Sequence, residues 1–333
     1  MLIFIALVAD FFLSVETSDM TTDQSRPCLV GRAPAKLNLF FEVHGKQSDG
    51  YHNVCSLCCP ISLFDTLFFE PQDSSEIELT WEQDDNNDTR CDIPSDSENL
   101  VVKAVELLRK RYHVRSGCRI RLIKRIPVQA GMGGGSSDAA TAIRLACQAW
   151  NLPLSQNEMM ALGSELGSDV PLFFIDGPSL GHGRGELVKP VDMAIRLDFV
   201  VVKPLEGIST AEAFRACSAD QITDRRSPEQ LLRGLQSGDF KEIASGMFNR
   251  LEASARQLCP KIGQIRDMFK KLDCYTHQMT GSGSAWFALC HNGMQASQLA
   301  LPFRQAGIGN VFVAHSVTTP ECATGKIKGG NPK

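Results

Sequence analysis

Pro127-Val128-Gln129-Ala130-Gly131-Met132-Gly133-Gly134-Gly135-Ser136-Ser137-Asp138 is the stretch on which the reading of this chain turns. Four glycines fall within five residues, two serines follow at once, and Ala139–Leu145 is a good helix-forming run. Without a Cβ, several backbone N–H groups can turn toward one point. A helix starting there adds unpaired N–H groups and the positive end of its dipole. Such a site suits a phosphate chain, and the serine hydroxyls suit phosphate oxygens or a metal ion. The competing reading is a tight turn with a serine N-cap. It leaves the entropic cost of three consecutive glycines, Gly133 to Gly135, without a purpose. No Gly-Lys-Ser/Thr follows, so the loop is not a Walker A loop, and it is not a Gly-x-Gly-x-x-Gly dinucleotide fingerprint either.

Working outward, the 333 residues are 43% hydrophobic and 22% charged, with a net charge of -4. That is enough for a large core and about two domains. It gives no broad basic surface, so nucleic acid is not an expected partner. Twelve cysteines include Cys55, Cys58 and Cys59, but no second pair completes a zinc pattern. Buried free thiols are expected instead, since a chain this long needs no disulfide staples. Met1–Val15 is apolar apart from Asp10, too short for a span of ~20 residues, and it has no basic start. It reads as an organelle leader, a weak anchor or, best, an extension upstream of a start at Met20. Packed structure is expected from Pro27 onward, with no stable membrane insertion and a cytoplasmic location, or a plastid-type one if the segment is a leader.

Strands are expected at Cys28–Ala33, Leu37–His44, Val54–Leu63, Thr66–Glu70 and Ile77–Trp81 from alternation and turn signals. A helix capped by Ser97 should run to His113. Arg119–Ile126 reads as a strand feeding the glycine loop, and Ser136–Trp150 as the helix behind it, with Asp138 complementing its dipole. A helix at Asn157–Leu166, a turn at 167–171 and a strand at Leu172–Ile175 follow. Leu197–Lys203 is an apolar strand. The chain then turns helical from Thr210 to about Leu272. Two strands around the turn 281–284, a helix at Met294–Gln305 and a strand at Val311–Val317 complete it. The glycine-rich tail 321–333 is expected to lack structure.

A phosphate loop needs a reaction. Lys36 opens an apolar strand, and Asp169 stands in Gly-Ser-Asp-Val-Pro. In phosphoryl transfer to an alcohol, a carboxylate can accept the hydroxyl proton and a lysine can hold that oxygen. Taken singly, either residue reads equally as a surface charge or a turn residue.

Three segments together resemble the three motifs of the GHMP kinase superfamily, in order and spacing: Pro34–Leu39, Pro127–Thr141 and Met279–Ser284. Within it, PAKLNLFFEVHGKQSDGYHNV at 34–54 resembles the family of 4-diphosphocytidyl-2-C-methyl-D-erythritol kinases. PISLFDTL (60–67), GISTAEAF (207–214) and FNRLE (248–252) agree, and the resemblance spans about 30–317. It implies an α+β fold of two domains. The first, 27–190, would be an ATP domain of ribosomal protein S5 domain 2-like type with a left-handed βαβ unit. The second, 191–320, would be ferredoxin-like, with the active site in the cleft between them.

The resemblance also implies roles: Asp169 as base, Lys36 on the acceptor hydroxyl, and residues 127–137 around the phosphates of ATP. Ser136 and Ser137 would lie near Mg²⁺, and Asn99 would border the adenine. Asn38 would face the acceptor's hydroxyls or phosphate. Tyr51 and His52, with Phe214 and nearby Thr210, would form a cytidine pocket. An aromatic on each face of a base and a polar group at its edge make an economical pocket. No role is assigned to Arg184. Homoserine or mevalonate kinase, or a non-catalytic ligand sensor on the same scaffold, remain open alternatives at this level.

Overall fold

The computed structural model describes residues 28–46, 52–84, 93–217, 224–318 and 325–327. The leader segment and Tyr51 lie outside them. β1 (Cys28–Lys46) and β2 (His52–Gln72) form one long antiparallel pair. β3 (Ile77–Gln83), α1 (Leu100–Arg111) and β4 (Gly117–Lys124) follow, with β3 and β4 parallel. The glycine loop then leads into α2 (Gly134–Ala149) and α3 (Gln156–Leu166), and a 3₁₀ turn covers Val170–Phe174. β5 (Ser179–His182) and β6 (Leu187–Pro190) complete the first half. The first sheet runs β3–β4–β2–β1, with β5 also on β2 and β6 on β5.

The second half is β7 (Asp198–Lys203), α4 (Thr210–Ala216), α5 (Glu229–Ser237), α6 (Phe240–Gly246) and β8 (Phe248–Asn249). Then come α7 (Glu252–Leu258), α8 (Pro260–Phe269), β9 (Thr276–Met279), β10 (Trp286–Cys290), α9 (Gly293–Ala306) and β11 (Asn310–His315). Its sheet order, β11–β7–β10–β9, is antiparallel throughout. That is the ferredoxin-like arrangement.

Alternation along the strands divides the core. Phe199, Val201, Phe287 and Leu289 pack with Leu37, Leu39 and Phe40 of β1. The intervening Val200, Val202, Trp286 and Ala288 pack with Ile262, Ile265, Phe269 and Phe303. With both faces covered, β7 and β10 read as continuous apolar runs. A third cluster joins Leu67, Phe69, Ile120 and Leu122 to Val101, Val105, Ile143 and Leu145 of α1 and α2.

Several expectations are corrected. The four short strands expected between 28 and 70 are two long ones. The breaks in alternation are register shifts, at Pro34/Ala35, Asn38/Phe40 and Val43/Gly45. Bulges of this kind re-aim side chains near sites, and Lys36 lies between the first two. Leu172–Ile175 is not a strand. Pro171 is the second residue of a helical turn that starts at Val170, its fixed φ being suited to a first turn, and so short an apolar run carries no periodicity. Asn99, not Ser97, caps α1: its Oδ1 accepts from Val101 N–H at 2.9 Å, and its Nδ2 donates to Pro94 O at 2.7 Å. The tail is not wholly without structure, because β12 (Gly325–Ile327) pairs with Cys28–Val30, where β1 offers an open edge. β8 also pairs with β1, parallel at Phe40 and Phe41, so the first sheet recruits segments from beyond residue 190. Arg250, just after β8, makes a two-point ion pair of 2.7 Å each with the buried Glu42 of β1.

The ten cysteines of the described residues are all free. Burial pushes the Cys55 and Cys147 thiols up to about 11. Among the described residues no group of His, Cys, Asp and Glu could hold a metal ion, and no helix is long and apolar enough to cross a membrane.

Replacing Asn99 by Ala removes the α1 cap and should cost about 1 kcal/mol. Urea denaturation of the purified variant, compared with the parent chain, measures it.

Candidate active site

The glycine loop spans from β4 to α2 in a conformation that few side chains permit. Gly131 and Gly133 have φ of 72° and 70°. A Cβ on Gly131 would collide with the Thr280 carbonyl, and one on Gly133 would lie 2.9 Å from the Phe173 ring and 3.2 Å from Lys36 Cε. The first α2 hydrogen bond is Ser137 N–H to Gly133 O, 2.9 Å. The N–H groups of Gly134, Gly135 and Ser136 therefore have no acceptor within the helix. Gly135 is different: a Cβ there would meet nothing closer than 3.8 Å. Packing does not demand that glycine, whereas a ligand lying against the backbone would.

Beneath the loop, Lys124 Nζ donates to Asp65 and, at 2.7 Å, to Asp138, all three side chains being buried. Asp65 Oδ1 also accepts from Arg125 N–H at 2.6 Å and Ile126 N–H at 2.8 Å. Asp138 was expected to complement the dipole of α2 from near its N-terminus; instead it is shut into this triad. Burial pushes its carboxyl well above the ordinary range, with Asp65 adding to the push and Lys124 opposing it. Burial alone would lower the Lys124 pKa, but Asp138 and Asp65 raise it on balance.

Lys36 is 5% exposed in its side chain, and its backbone N–H donates to Met132 O at 2.9 Å, which ties β1 to the loop. Its Nζ donates to Asn38 Oδ1 at 2.6 Å and lies 3.6 Å from Asp169 Oδ2. Asp169, directly before the 3₁₀ turn, keeps 42% of its side chain exposed. Asn38 does not face the cleft as expected. It shares a strand face with Lys36 two residues away and is 1% exposed behind it. Its Nδ2 donates to Ser56 Oγ at 2.7 Å and lies 3.3 Å from Cys58 Sγ. Its N–H donates to Thr280 Oγ1 at 2.9 Å.

One cavity of about 440 Å³ brings together Pro127 to Ser136, Lys36, Asp169, Thr210, Phe214 and Arg184. Lys124 and Leu100 also line it. Ser137 does not: its hydroxyl is buried and has no hydrogen-bond partner among the described residues. Asn99 is occupied by its capping bonds, and its neighbour Leu100 forms the wall. A second cavity, of about 1020 Å³, shares Thr210, Phe214 and Arg184 and adds His52. His52 and Phe214 stack on each other, with centroids 5.2 Å apart and planes at 29°. Phe41 meets the Phe214 ring edge-on. Thr210 Oγ1 lies 2.9 Å from Ser282 Oγ.

Sequence reasoning left several residues without a role. Asn249 Nδ2 donates to Met279 O and Gly281 O, holding the turn 281–284 in place. Gln278 Nε2 donates to the carbonyl of Asn38 at 2.9 Å. Arg184 lines both cavities. The signals were present, in FNRLE and in the polar residues flanking 279–284, but only the fold brings Asn249 to the turn and Gln278 to Asn38.

A backbone cradle at a helix N-terminus, facing a Lys–Asp pair across a cleft between these two sheets, defines a small-molecule kinase. The GHMP kinases N terminal domain family matches residues 99–177 and the GHMP kinases C terminal family residues 231–309. A 4-diphosphocytidyl-2-C-methyl-D-erythritol kinase of Pelotomaculum thermopropionicum is 37% identical over 82% of this chain and 93% of its own. That of Bacillus pumilus is 35% identical over 78% and 88%. A crystal structure of 4-(cytidine 5'-diphospho)-2C-methyl-D-erythritol kinase is 31% identical, with a TM-score of 0.73 over 86% of this chain and 99% of its own. The fold is also shared with the L. major mevalonate kinase structure, which superposes with a TM-score of 0.66 at 18% identity, over 86% of this chain and 95% of its own. The chain belongs to the GHMP kinases and, within them, to the 4-diphosphocytidyl-2-C-methyl-D-erythritol kinase family.

The raised Asp138 carboxyl has a consequence for stability. The folded chain holds a proton that the unfolded chain releases above ~4, so this group's contribution to stability falls as pH rises toward its raised value. Urea midpoints at about pH 5 and about pH 8 should show that fall, and Asp138→Asn should flatten it.

Proposed function

We propose that this chain transfers the terminal phosphoryl group of ATP to the 2-hydroxyl of 4-diphosphocytidyl-2-C-methyl-D-erythritol, giving ADP and the 2-phosphate, in the non-mevalonate route to isoprenoids. The observation that carries the reading is the placement of Lys36 and Asp169, 3.6 Å apart, between the glycine loop and the His52–Phe214 pocket. The donor's phosphates lie along Gly131–Ser136, where unpaired N–H groups and the α2 dipole favour negative charge. The acceptor runs from Asp169 toward Phe214, its diphosphate passing Arg184.

In the transfer, Asp169 takes the hydroxyl proton as that oxygen forms its bond to the γ-phosphorus. The bond from phosphorus to the β,γ-bridging oxygen breaks, and ADP leaves with that electron pair. The exposed carboxylate is reachable by a hydroxyl, and the Lys36 ammonium, anchored on Asn38, offers its remaining donors to the same oxygen.

Mg²⁺ binds oxygen, keeps several waters and leans on substrate phosphates rather than on a protein cage. The hydroxyls at the start of α2 fit that demand. Ser136 lines the cleft, and the Ser137 hydroxyl, without a partner among the described residues, is a buried polar group whose desolvation costs about 1–3 kcal/mol unless a ligand satisfies it. When bound, the cation neutralises charge building on the transferring group.

The base pocket supports a cytidine in particular. A cytosine replaces one ring contact of Phe214 with another, an exchange in which each aromatic pair is worth about 0.5–1.5 kcal/mol.

Asp169→Ala should lower kcat at least about 100-fold, while ATP affinity, read by equilibrium binding, changes little; unchanged turnover would sink the assignment of the base. Phe214→Ala should raise KM for the cytidyl substrate several-fold and leave KM for ATP unaltered. In a panel of acceptors, turnover of mevalonate or homoserine but not of the cytidyl substrate would overturn the substrate reading.

A further inference from the structure

The hydroxyl of Thr280, delivered by the second half of the chain, meets both Asn38, the partner of Lys36, and the Gly131 carbonyl of the glycine loop. It accepts the Asn38 N–H at 2.9 Å, and it lies 3.1 Å from Asn38 Oδ1 and 3.3 Å from Gly131 O. It has one proton for those two acceptors. Donated to Asn38, that proton completes a fixed carboxamide: Oδ1 accepts from Lys36 and Thr280, while Nδ2 faces Ser56 and Cys58. A flipped amide would set its NH₂ against the Lys36 ammonium, two donors facing each other. The network is almost wholly buried: Thr280 is 0% exposed and Asn38 1%. In such a setting a satisfied polar network is rigid and a broken one is costly.

The surrounding bonds hold Thr280 itself in place. Its N–H donates to Ala285 O at 3.0 Å, and Asn249 grips the carbonyls on either side of it, at Met279 and Gly281. Gln278 reaches across to the Asn38 carbonyl.

We propose that Thr280 is a positioning residue for the phosphoryl transfer: its hydroxyl fixes the Asn38 carboxamide, which aims the Lys36 ammonium at the acceptor oxygen. The inference rests on the kinase reading above. The Gly131 carbonyl, 3.3 Å away, is the alternative acceptor for the same proton. Thr280 touches neither substrate, and its effect belongs in turnover rather than in binding.

Steady-state kinetics of the purified full chain with ATP and the cytidyl substrate tests this. Thr280→Val keeps the shape and removes the hydroxyl. It should lower kcat about 10-fold or more with both KM values within about threefold. Thr280→Ser should restore most of the lost kcat. Thr280→Ala, which leaves room for a water at the Asn38 N–H, should show the same split as valine. A valine variant with kcat within about twofold of the parent overturns the proposal. So does a loss of folding, seen by circular dichroism, in both the valine and alanine variants while serine folds, because the hydroxyl is then structural. If the parent chain itself fails to turn over the cytidyl substrate, the kinase reading fails instead, and the two failures stay distinct.

Discussion

The ammonium of Lys124, enclosed between the carboxyl groups of Asp65 and Asp138, is the constraint on which the donor site depends. Lys124 ends the strand that enters the glycine loop, Asp138 stands one turn into the helix that leaves it, and Asp65 belongs to the neighbouring strand. Asp65 also takes the N–H groups of Arg125 and Ile126, so the chain entering the loop is fixed at its backbone. Glycines alone would leave the loop free to take many shapes, because they lose more conformational freedom than any other residue on ordering. Breaking a buried ion pair by removing one partner costs about 3–5 kcal/mol, which is the scale of energy that holds the loop's two ends in register. A flexible sequence is thereby held in one shape by rigid anchors at its margins. The arrangement satisfies what phosphate binding requires, namely N–H groups that are already oriented when the ligand arrives.

Much of this was legible in the sequence, for identifiable reasons. The glycine loop and the helix behind it are local features whose chemistry is written in consecutive residues. The apolar runs of β7 and β10 are legible because both their faces are buried. What escaped is what depends on partners far away in the chain. Asp138 reads as a dipole partner until the strand carrying Lys124 is laid beside it. Asn38 reads as a substrate ligand until Ser56, Cys58 and Thr280 are seen to use up its carboxamide. The long strands looked like pairs of short ones because bulges break alternation in the same way that turns do, and Leu172–Ile175 looked like a strand because four apolar residues carry no period. The stacking of His52 on Phe214 was equally hidden, since the two are 162 positions apart by number.

The two ends of the site are built on different physical terms, and this accounts for the path by which they communicate. The donor end is backbone held by buried charge, so it has little freedom to adapt. The acceptor end is made of side chains: a ring pair, Thr210 at the exposed start of α4, and Arg184 on a short turn between β5 and β6. Between them stands Lys36, whose stem lies under Gly133 and whose ammonium is shared by Asn38 and Asp169. A charge in water between two such ends would be screened and loosely aimed, with an interaction of only about 1 kcal/mol at 4 Å. Burying the stem of Lys36 and bonding its head to a saturated carboxamide removes that looseness at the cost of desolvation, which the hydrogen bonds offset. The lysine can then act on the acceptor oxygen only while β1, the glycine loop and the turn at 281–284 hold their mutual positions. Because the first two belong to one sheet and the last to the other, alignment of the reacting groups depends on the packing between the two halves of the chain.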